Sequence, residues 1–360
     1  MIFISKPTLV VDEAKTRANI KRMAEKASRN GMNFRPHFKT HQSADVGKWF
    51  RDEGVNTITA SSVSMARYFV ENGWKDITIA FPYNPLEIEV INEISASAQV
   101  NVLIESKDAL AHLNQHGANG VSYFLKMDVG THRTGISPSN VALIGSLIDK
   151  SSENHEFKGL LGHAGHSYRC RGKEEIKQVY QESVEMFAAL EEGLGFRPYI
   201  SWGDTPTCSV QEDLSVFNEL RAGNFAFYDM MQVQIGSCDT ENVAVALACP
   251  VVSLHPDRNE AVIYGGGVHF SKDSMEVNGA PYFGQAVQMN DSGWTVIEDV
   301  YLKKISQEHG ILKGPSSFIN NLKLGDIVGV LPVHSCMAAD LMPGYITFEG
   351  TRLTKNQKIL

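Results

Sequence analysis

Eight short extended runs, each followed by a stretch of helical periodicity, constrain the fold of this chain more than any other feature. Most of the intervening stretches are roughly 10 to 20 residues long and place apolar residues three and four positions apart. Eight strand–helix units in about 200 residues predict a parallel (β/α)8 barrel of the TIM type, an α/β fold. A doubly wound open sheet is the alternative, because periodicity alone does not say whether a sheet closes. The runs end near Lys39, Ala60, Phe81, Glu105, Asp128, His163, Asp204 and Asn224.

The character of the sequence changes about two thirds of the way along the chain. Runs rich in β-branched and aromatic residues then alternate with Gly, Asn, Asp and Pro, which is typical of strands joined by turns. We predict a barrel domain over residues 1–238 and an antiparallel, β-rich C-terminal domain over residues 239–360, with the first few residues free to join the β domain. The strands predicted for the second domain are 243–247, 251–254, 260–264, 285–289, 294–297 and 327–331.

The composition of the chain indicates which kinds of molecule it binds. The chain has 43% hydrophobic and 21% charged residues and a formal net charge of -8, which disfavours nonspecific attraction to nucleic acid or anionic lipid. The N-terminus lacks the features of a signal peptide, and no apolar stretch approaches the length of a membrane span. We therefore expect a cytoplasmic protein that acts on a small molecule, with no nucleic-acid or membrane partner.

Polar residues follow the C-terminal ends of several predicted strands, which in a (β/α)8 barrel share one rim, where barrel enzymes place their sites. Small residues and hydroxyls at 203–207 suit a phosphate group, although a plain Gly-Pro turn explains them equally well. A lysine and a phosphate cradle in one barrel point to pyridoxal phosphate held as a Schiff base. The polar positions are Lys39 and His41, then residues 128–134, 163–168, 203–207 and 221–224.

Seven motifs in order along the chain carry a resemblance to a known family. They are residues 35–41, residues 128–130 with 133–135, Gly162 and His163 with Tyr168, and residues 203–207, 219–223, 308–310 and 332–336. With these motifs the chain resembles the fold-type III pyridoxal phosphate enzymes, specifically the D-threonine aldolase and D-serine dehydratase family with its alanine racemase-like N-terminal barrel. It departs from the family at residues 264–273, where many members carry Asp-Ala-Gly followed by Lys. This departure puts substrate specificity in question.

The resemblance implies roles for residues on the rim. Lys39 would hold the cofactor, Thr205 with Gly223 and Asn224 would bind its phosphate, and Arg221 would lie near the pyridine nitrogen. A second base would be a histidine, and the candidates are His37, His41, His163 and His166. The predicted catalytic residues are Lys39, His41 and His163, and the predicted cofactor-binding residues are Lys39, Arg133, Tyr168, Gly203, Thr205, Arg221, Gly223 and Asn224.

His334 and Cys336 form a candidate metal pair. In an extended strand, residues two apart face the same side and can present an imidazole and a thiolate to one ion. The spacing alone is better explained by a buried histidine beside a free cysteine. The family resemblance instead implies a divalent metal, with zinc the preferred ion.

The resemblance further implies a lyase that acts on β-hydroxy D-amino acids. If Lys39 removes the α-proton and the metal-activated hydroxyl departs, the products are a keto acid and ammonia. If a base removes the hydroxyl proton, retro-aldol cleavage gives glycine and an aldehyde. The His-x-Cys pair at 334–336 is more typical of the dehydratase branch, so D-serine dehydratase-like elimination is the prediction and D-threonine aldolase activity the alternative.

Two other hypotheses fit the sequence less well. An amino-acid racemase would need two opposed bases and no metal, which His334 and Cys336 argue against. A non-catalytic pyridoxal phosphate-binding protein would not need the extra β domain. The resemblance also implies a homodimer in which the β domain of one subunit closes the barrel mouth of the other.

Overall fold

The structure is a computed structural model that describes residues 3–151 and 154–357. Its first part alternates strands with helices, as the periodicity of the sequence predicts. The strands are β1 (Thr8–Val11), β2 (Asn33–Phe34), β3 (Ile58–Ala60), β4 (Asp76–Pro82), β5 (Gln99–Ile104), β6 (Val121–Lys126), β7 (Phe157–Gly162), β8 (Ile200–Trp202) and β9 (Glu219–Leu220). The helices are α1 (Glu13–Arg29), α2 (Ala44–Asp52), α3 (Val63–Glu71), α4 (Ile88–Ser95), α5 (Lys107–His116), α6 (Val141–Ile148), α7 (Lys173–Leu194), α8 (Thr205–Val210) and α9 (Met230–Ile235).

Strands β2 to β9 form a parallel barrel. They pair in the order β2-β9-β8-β7-β6-β5-β4-β3. The two outer strands then meet, because the Phe38 N–H donates to the Thr59 carbonyl at 2.9 Å and the Thr59 N–H donates to the Pro36 carbonyl at 2.9 Å. The (β/α)8 prediction is therefore confirmed, and the alternative of an open doubly wound sheet is wrong.

Serine side chains start three of the outer helices. Ser43, Ser62 and Ser106 each accept a hydrogen bond from the backbone N–H three residues ahead, which satisfies one of the unpaired donors of the first turn. The helices turn their apolar faces toward the barrel, as α7 does with the buried Ile176 and Phe187. This arrangement keeps every strand in one direction, so their C-terminal ends share a single rim.

The second part of the chain forms a nine-stranded sheet that is antiparallel except where β1 pairs with β18 in parallel. Strand β1 lies between β10 and β18, so the start of the chain contributes to this sheet. The domain boundary at residues 238 and 239 stays a prediction. The remaining elements are β10 (Val245–His255), β11 (Glu260–Tyr264), α10 (Gly267–Phe270), β12 (Met275–Val277), β13 (Ala280–Tyr282), β14 (Gly284–Met289), β15 (Trp294–Ile305), β16 (His309–Lys313), α11 (Ser316–Ile319), β17 (Ile327–Pro332), α12 (Ser335–Leu341), β18 (Tyr345–Thr347) and β19 (Arg352–Leu353).

Strand β10 corrects one detail of the sequence-based prediction. Two separate strands, 243–247 and 251–254, were expected, whereas one strand runs through Pro250. The Val251 N–H points to the side of β17 and donates to the carbonyl of Asp326, the residue before that strand, at 2.8 Å. The nitrogen of Pro250, which has no hydrogen, therefore faces the other edge of β10. At that edge the partner strand changes from β1 to β11. Because no ladder bond is lost there, the proline does not end the strand.

No helix within residues 3–151 and 154–357 combines the length and the apolarity needed to cross a membrane.

A buried ion-pair network in the barrel interior yields a stability prediction. The Arg35 guanidinium is buried and contacts Glu219 at 2.8 Å and Asp76 at 2.6 Å. We expect Arg35→Met to lower the free energy of unfolding by about 3–5 kcal/mol, because it leaves the buried Glu219 carboxylate without its cation. Denaturant unfolding measures the loss. In the control, Arg258→Met removes an exposed pair with Glu260 and should cost under about 1 kcal/mol; equal losses in the two variants would contradict the prediction.

Candidate functional site

A cavity of about 370 Å³ lies at the C-terminal rim of the barrel. All eight predicted cofactor-binding residues line it, although they come from loops after five different strands. His37 and His163 also line it, whereas His41, His334 and Cys336 do not. The lining residues are His37, Lys39, Ser61, Ala80, Phe81, Pro82, Leu103, Lys126, Arg133, Thr134, Leu161, His163, Tyr168, Gly203, Asp204, Thr205, Arg221, Ala222, Gly223 and Asn224.

Lys39 lies in the loop after β2 and is held there by its neighbour. Phe38 is fully buried, with its ring centroid 4.8 Å from that of Phe50 and 5.0 Å from those of Phe69 and Trp74. The Lys39 side chain is exposed by comparison and lines the cavity. Burial of one residue thus orients the next, and the amine is presented to the cavity by the packing of an aromatic cluster.

His163 is held in one tautomer. Its Nδ1 lies 2.7 Å from the Gly203 carbonyl oxygen. Because a carbonyl can only accept, Nδ1 carries the hydrogen and Nε2 keeps a lone pair. Burial, with the nearby Lys39 charge, lowers the pKa of His163 to about 3, so the imidazole is neutral at pH 7. Burial and the same charge also lower the pKa of His37 well below its ordinary value.

The structure does not bring His41 to the cavity. Its ring is fully buried, stacked on Phe50 with centroids 5.4 Å apart, and its Nδ1 accepts from the Ser43 N–H at 3.1 Å. Burial lowers its pKa to about 3. The turn at residues 38–41 sends Lys39 and His41 to opposite sides, which argues against His41 as a base. His166 is half-buried beside Gly130 and does not line the cavity either.

Two glycines let backbone segments approach closely beside the cavity. A Cβ on Gly203 would lie 2.7 Å from the backbone of Arg221, and a Cβ on Gly223 would lie 2.5 Å from the His37 carbonyl oxygen. Both positions therefore exclude a side chain. Thr205, the first residue of α8, accepts from the Phe225 N–H at 3.3 Å and joins the two loops.

Asp204 organises the loop before α8. One of its oxygens accepts from the Ser167 hydroxyl at 2.7 Å and from the Thr207 N–H at 2.9 Å, and the other accepts from the Thr207 hydroxyl at 2.6 Å. Burial raises the pKa of Asp204 to about 6 despite these hydrogen bonds. The carboxylate acts inside the protein as a helix cap. It thereby shapes the cavity wall that Gly203 and Thr205 contribute.

Lys126 is a cavity residue that the sequence reasoning missed. Its side chain is buried, and its ammonium donates to the Met127 carbonyl. Burial, with the neighbouring Arg221 charge, lowers its pKa to about 8. A lysine that ends a fully buried strand, after Phe124 and Leu125, was the available signal. The charged group therefore faces the same space as Lys39.

Arg221 is fixed beneath the cavity. Its Nε donates to the Ser201 hydroxyl at 2.6 Å, and Nη2 donates to the Gly162 carbonyl. The Ser201 hydroxyl in turn donates to Glu219 at 2.6 Å. Burial lowers the pKa of Arg221 to about 10, so the guanidinium is still cationic at pH 7.

His334 and Cys336 lie close together, but not in the predicted way. Strand β17 ends at Pro332, His334 precedes helix α12, and Cys336 lies in its first turn. The expectation that they alternate along one strand is wrong, and the strand–helix junction brings them together instead. Although burial opposes it, hydrogen bonds to Asp273 and Cys336 raise the pKa of His334 to about 11. The same imidazole lowers the pKa of the Cys336 thiol against the effect of burial.

The Cys336 sulfur connects this pair to the cavity. It lies 3.3 Å from the Thr40 hydroxyl, next to Lys39, and accepts from the Asn224 amide at 3.4 Å. The same amide donates to Asp229 at 2.7 Å, and the Asp229 carboxylate also accepts from the Ser335 N–H at 2.9 Å. In the part of the chain that the structure describes, no three His, Cys, Asp or Glu side chains converge on one point. Only two protein ligands are therefore offered here.

Comparison with protein families matches both parts of the chain. Residues 11–230 match the alanine racemase N-terminal domain, and residues 244–348 match the serine dehydratase domain. The first match alone covers more than half of the chain.

Curated relatives match over nearly the whole length. The chain is 28% identical over 373 residues to the D-serine dehydratase of Dictyostelium discoideum, covering 95% of this chain and 93% of that one. It is 26% identical over 360 residues to the D-threo-3-hydroxyaspartate dehydratase of Delftia sp. (strain HT23), covering 96% and 94%. It is 24% identical over 356 residues to the D-threonine aldolase of Arthrobacter sp., covering 95% and 89%.

Solved structures share the arrangement of both sheets. The D-threo-3-hydroxyaspartate dehydratase from Delftia sp. HT23 superposes with a TM-score of 0.89 at 25% identity, over 98% of this chain and 97% of that one. A metal-free form of a cysteine-to-alanine mutant of D-threo-3-hydroxyaspartate dehydratase superposes with a TM-score of 0.88 at 24% identity, over 98% and 97%. The barrel and the β-rich region thus match together as one architecture.

Proposed function

Because the chain belongs to the fold-type III pyridoxal phosphate enzymes, with an alanine racemase-type barrel and a serine dehydratase domain, we propose that it is a metal-dependent lyase. Its substrates would be β-hydroxy D-amino acids, and it would eliminate water to give a keto acid and ammonia, as a D-serine dehydratase does. One observation carries the proposal. Lys39 lines the cavity, and the Cys336 sulfur lies just outside it, where it contacts Thr40 and the cavity residue Asn224.

The cavity fits pyridoxal phosphate. Lys39 would carry the cofactor, and the loops that Gly203 and Gly223 allow to pack closely form the part of the cavity wall that would receive its phosphate. Thr205 offers a hydroxyl there. Arg221 would face the pyridine ring as a permanent cation, and Arg133 and Tyr168 line the remaining wall. When bound, the cofactor supplies an electron sink for negative charge at the substrate Cα.

The chemistry of the donor set at His334 and Cys336 fits a divalent metal, with zinc preferred. Thiolate and imidazole are the ligands that zinc favours, and two protein ligands leave positions for water or substrate. The lowered pKa of the Cys336 thiol already favours the thiolate form. A metal there would act as a Lewis acid on the substrate hydroxyl.

The state of the cavity histidines favours elimination over aldol cleavage. Aldol cleavage needs a base that removes the hydroxyl proton. Elimination needs a base that removes the proton on Cα, and Lys39 can act as that base. His37 and His163 both have lowered pKa values because they are buried. Imidazoles of such low basicity are poor proton acceptors at pH 7. We assign Lys39 as the base, as the family resemblance implies, and His163 as a neutral group that lines the cavity.

Product analysis tests the proposed reaction. We expect the cofactor-loaded enzyme with zinc to release ammonia and a keto acid from D-serine, D-threonine or D-threo-3-hydroxyaspartate, because the hydroxyl leaves after the Cα proton is lost. Coupled assays for ammonia and for keto acid measure this directly. The L-enantiomers serve as controls and should give no product. Glycine and an aldehyde in place of ammonia would overturn elimination in favour of aldolase activity.

The proposal includes a homodimer. Two large apolar side chains, Phe81 and Leu86, are more than half exposed near the barrel rim, and Phe81 lines the cavity. Exposed apolar surface of this kind is typical of a protein interface. A β domain from a second copy of the chain would cover it and shield the cavity mouth from water.

A further inference from the structure

We propose that Asp273 is a positioning residue that aims the His334 imidazole at the metal. This inference rests on the proposed function, because it concerns the metal that His334 and Cys336 would hold. It assigns a use to residues 264–273, the segment that departs from the family pattern. Within residues 3–151 and 154–357, Asp273, His334 and Cys336 do not form a cluster of three metal ligands. Asp273 would therefore act through the His334 imidazole.

The contact between the two side chains determines which ring nitrogen is free. Asp273 Oδ2 lies 3.0 Å from Nδ1 of His334. Because an ionised carboxylate only accepts, Nδ1 carries a hydrogen and donates it. Nε2 is then the nitrogen that would bind a metal in place of its own hydrogen. A carboxylate on the far nitrogen fixes both the tautomer and the ring orientation of a metal-bound histidine.

Ser271 holds the Asp273 carboxylate in place. Its hydroxyl donates to Asp273 Oδ2 at 2.9 Å and accepts from the Asp273 N–H at 3.1 Å. Ser271 has a φ of +69° and a ψ of -175°, a strained conformation for a residue with a side chain. Surrounding contacts must therefore enforce it. The turn that it makes at the end of α10 directs Asp273 back toward α12.

The glycines at the start of α10 explain how the conformation of this segment is enforced. The Gly265 N–H donates to the Glu308 carbonyl at 2.9 Å, and the Gly267 N–H donates to the Ser306 carbonyl at 2.7 Å. A Cβ on Gly266 would lie 2.4 Å from the Ser306 carbonyl oxygen, so only glycine permits this approach. Buried Phe270 anchors the other end of α10. The segment is thus hydrogen-bonded to the β15–β16 turn, and this contact fixes the position of Asp273.

Zinc affinity of the cofactor-loaded protein tests the inference. We expect Asp273→Asn to weaken zinc binding by about 10- to 100-fold, the usual effect of losing such a carboxylate, while the cofactor absorbance and the melting temperature stay unchanged. Competition with a chromogenic chelator gives the dissociation constant. Asp257→Asn, an exposed carboxylate of the same region, should leave zinc affinity unchanged.

Two further variants separate the possible failures. His334→Ala should abolish tight zinc binding; if it binds zinc as the unaltered protein does, the metal site of the proposed function is wrong. If His334→Ala loses zinc but Asp273→Asn binds it as tightly as the unaltered protein, the metal site stands and the positioning role is overturned.

The Ser271→Ala variant keeps the Asp273 carboxylate but removes the hydroxyl that supports it, so we expect a smaller loss of zinc affinity, about severalfold. A Ser271→Ala variant that binds zinc as the unaltered protein does would contradict the support by Ser271.

Discussion

Replacing Lys39 with alanine is expected to lower turnover by about 10⁴-fold or more, because it removes the proposed covalent anchor of the cofactor and the proposed base for the Cα proton. The same variant should lose the visible absorbance band that the cofactor-loaded protein shows. Phe38 and the aromatic cluster beneath the loop are untouched, so the fold should persist. Circular dichroism and thermal melting check this.

A matched lysine distinguishes loss of the anchor from a general effect of charge. Lys107 is exposed at the start of α5, away from the cavity, and Lys107→Ala should keep both the absorbance band and turnover. Borohydride reduction followed by peptide mass analysis should place the cofactor on Lys39. Reduction at another lysine, such as the cavity residue Lys126, would contradict the assignment.

Replacing Cys336 with alanine is expected to remove tight zinc binding and to slow elimination by about 10³-fold. A Lewis acid contributes several kcal/mol to the stabilisation of developing charge, and about 4 kcal/mol corresponds to that factor. The Cys336 thiol has a lowered pKa, whereas burial raises the pKa of the Cys249 thiol in β10. Cys249→Ala is therefore the control, and it should retain metal and activity.

Chelation gives an independent measurement of the same contribution. Treating the unaltered protein with a chelator should reproduce the loss seen in Cys336→Ala, and added zinc should restore activity only to the unaltered protein. Metal content by mass spectrometry follows each step. Full elimination activity in metal-free protein would show that the reaction does not use His334 and Cys336 as ligands.

The barrel and most strand positions were predictable because they depend on local periodicity. The run predicted to end near Glu105 is β5, which ends at Ile104, whereas β2 ends at Phe34 and β9 at Leu220, before the predicted ends near Lys39 and Asn224. The parallel order then follows from the alternation with helices. Pro250 misled the prediction because only the neighbouring strands show that its missing N–H opposes no partner.

The candidate site was predictable only in part. Lys39 and His163 both border the cavity, as expected, but His41 is packed among aromatic rings two residues beyond Lys39. In the sequence, Lys39 and His41 belong to one motif, residues 35–41. The direction of each side chain depends on which residue of the turn is buried, and that is decided by Phe38 and the helices packed on it.

By itself the sequence determined the chain's architecture, because the order of strands and helices follows from local periodicity. Lys39 and the His334–Cys336 pair were singled out by motifs shared with a family, not by spacing. Tertiary structure alone decided that Cys336 meets Thr40 and Asn224, that Lys126 faces the cavity, and that Asp273 contacts His334. Each of these contacts joins residues far apart in the chain or depends on the direction of a side chain. Such contacts are set by how the elements pack, which local periodicity does not specify.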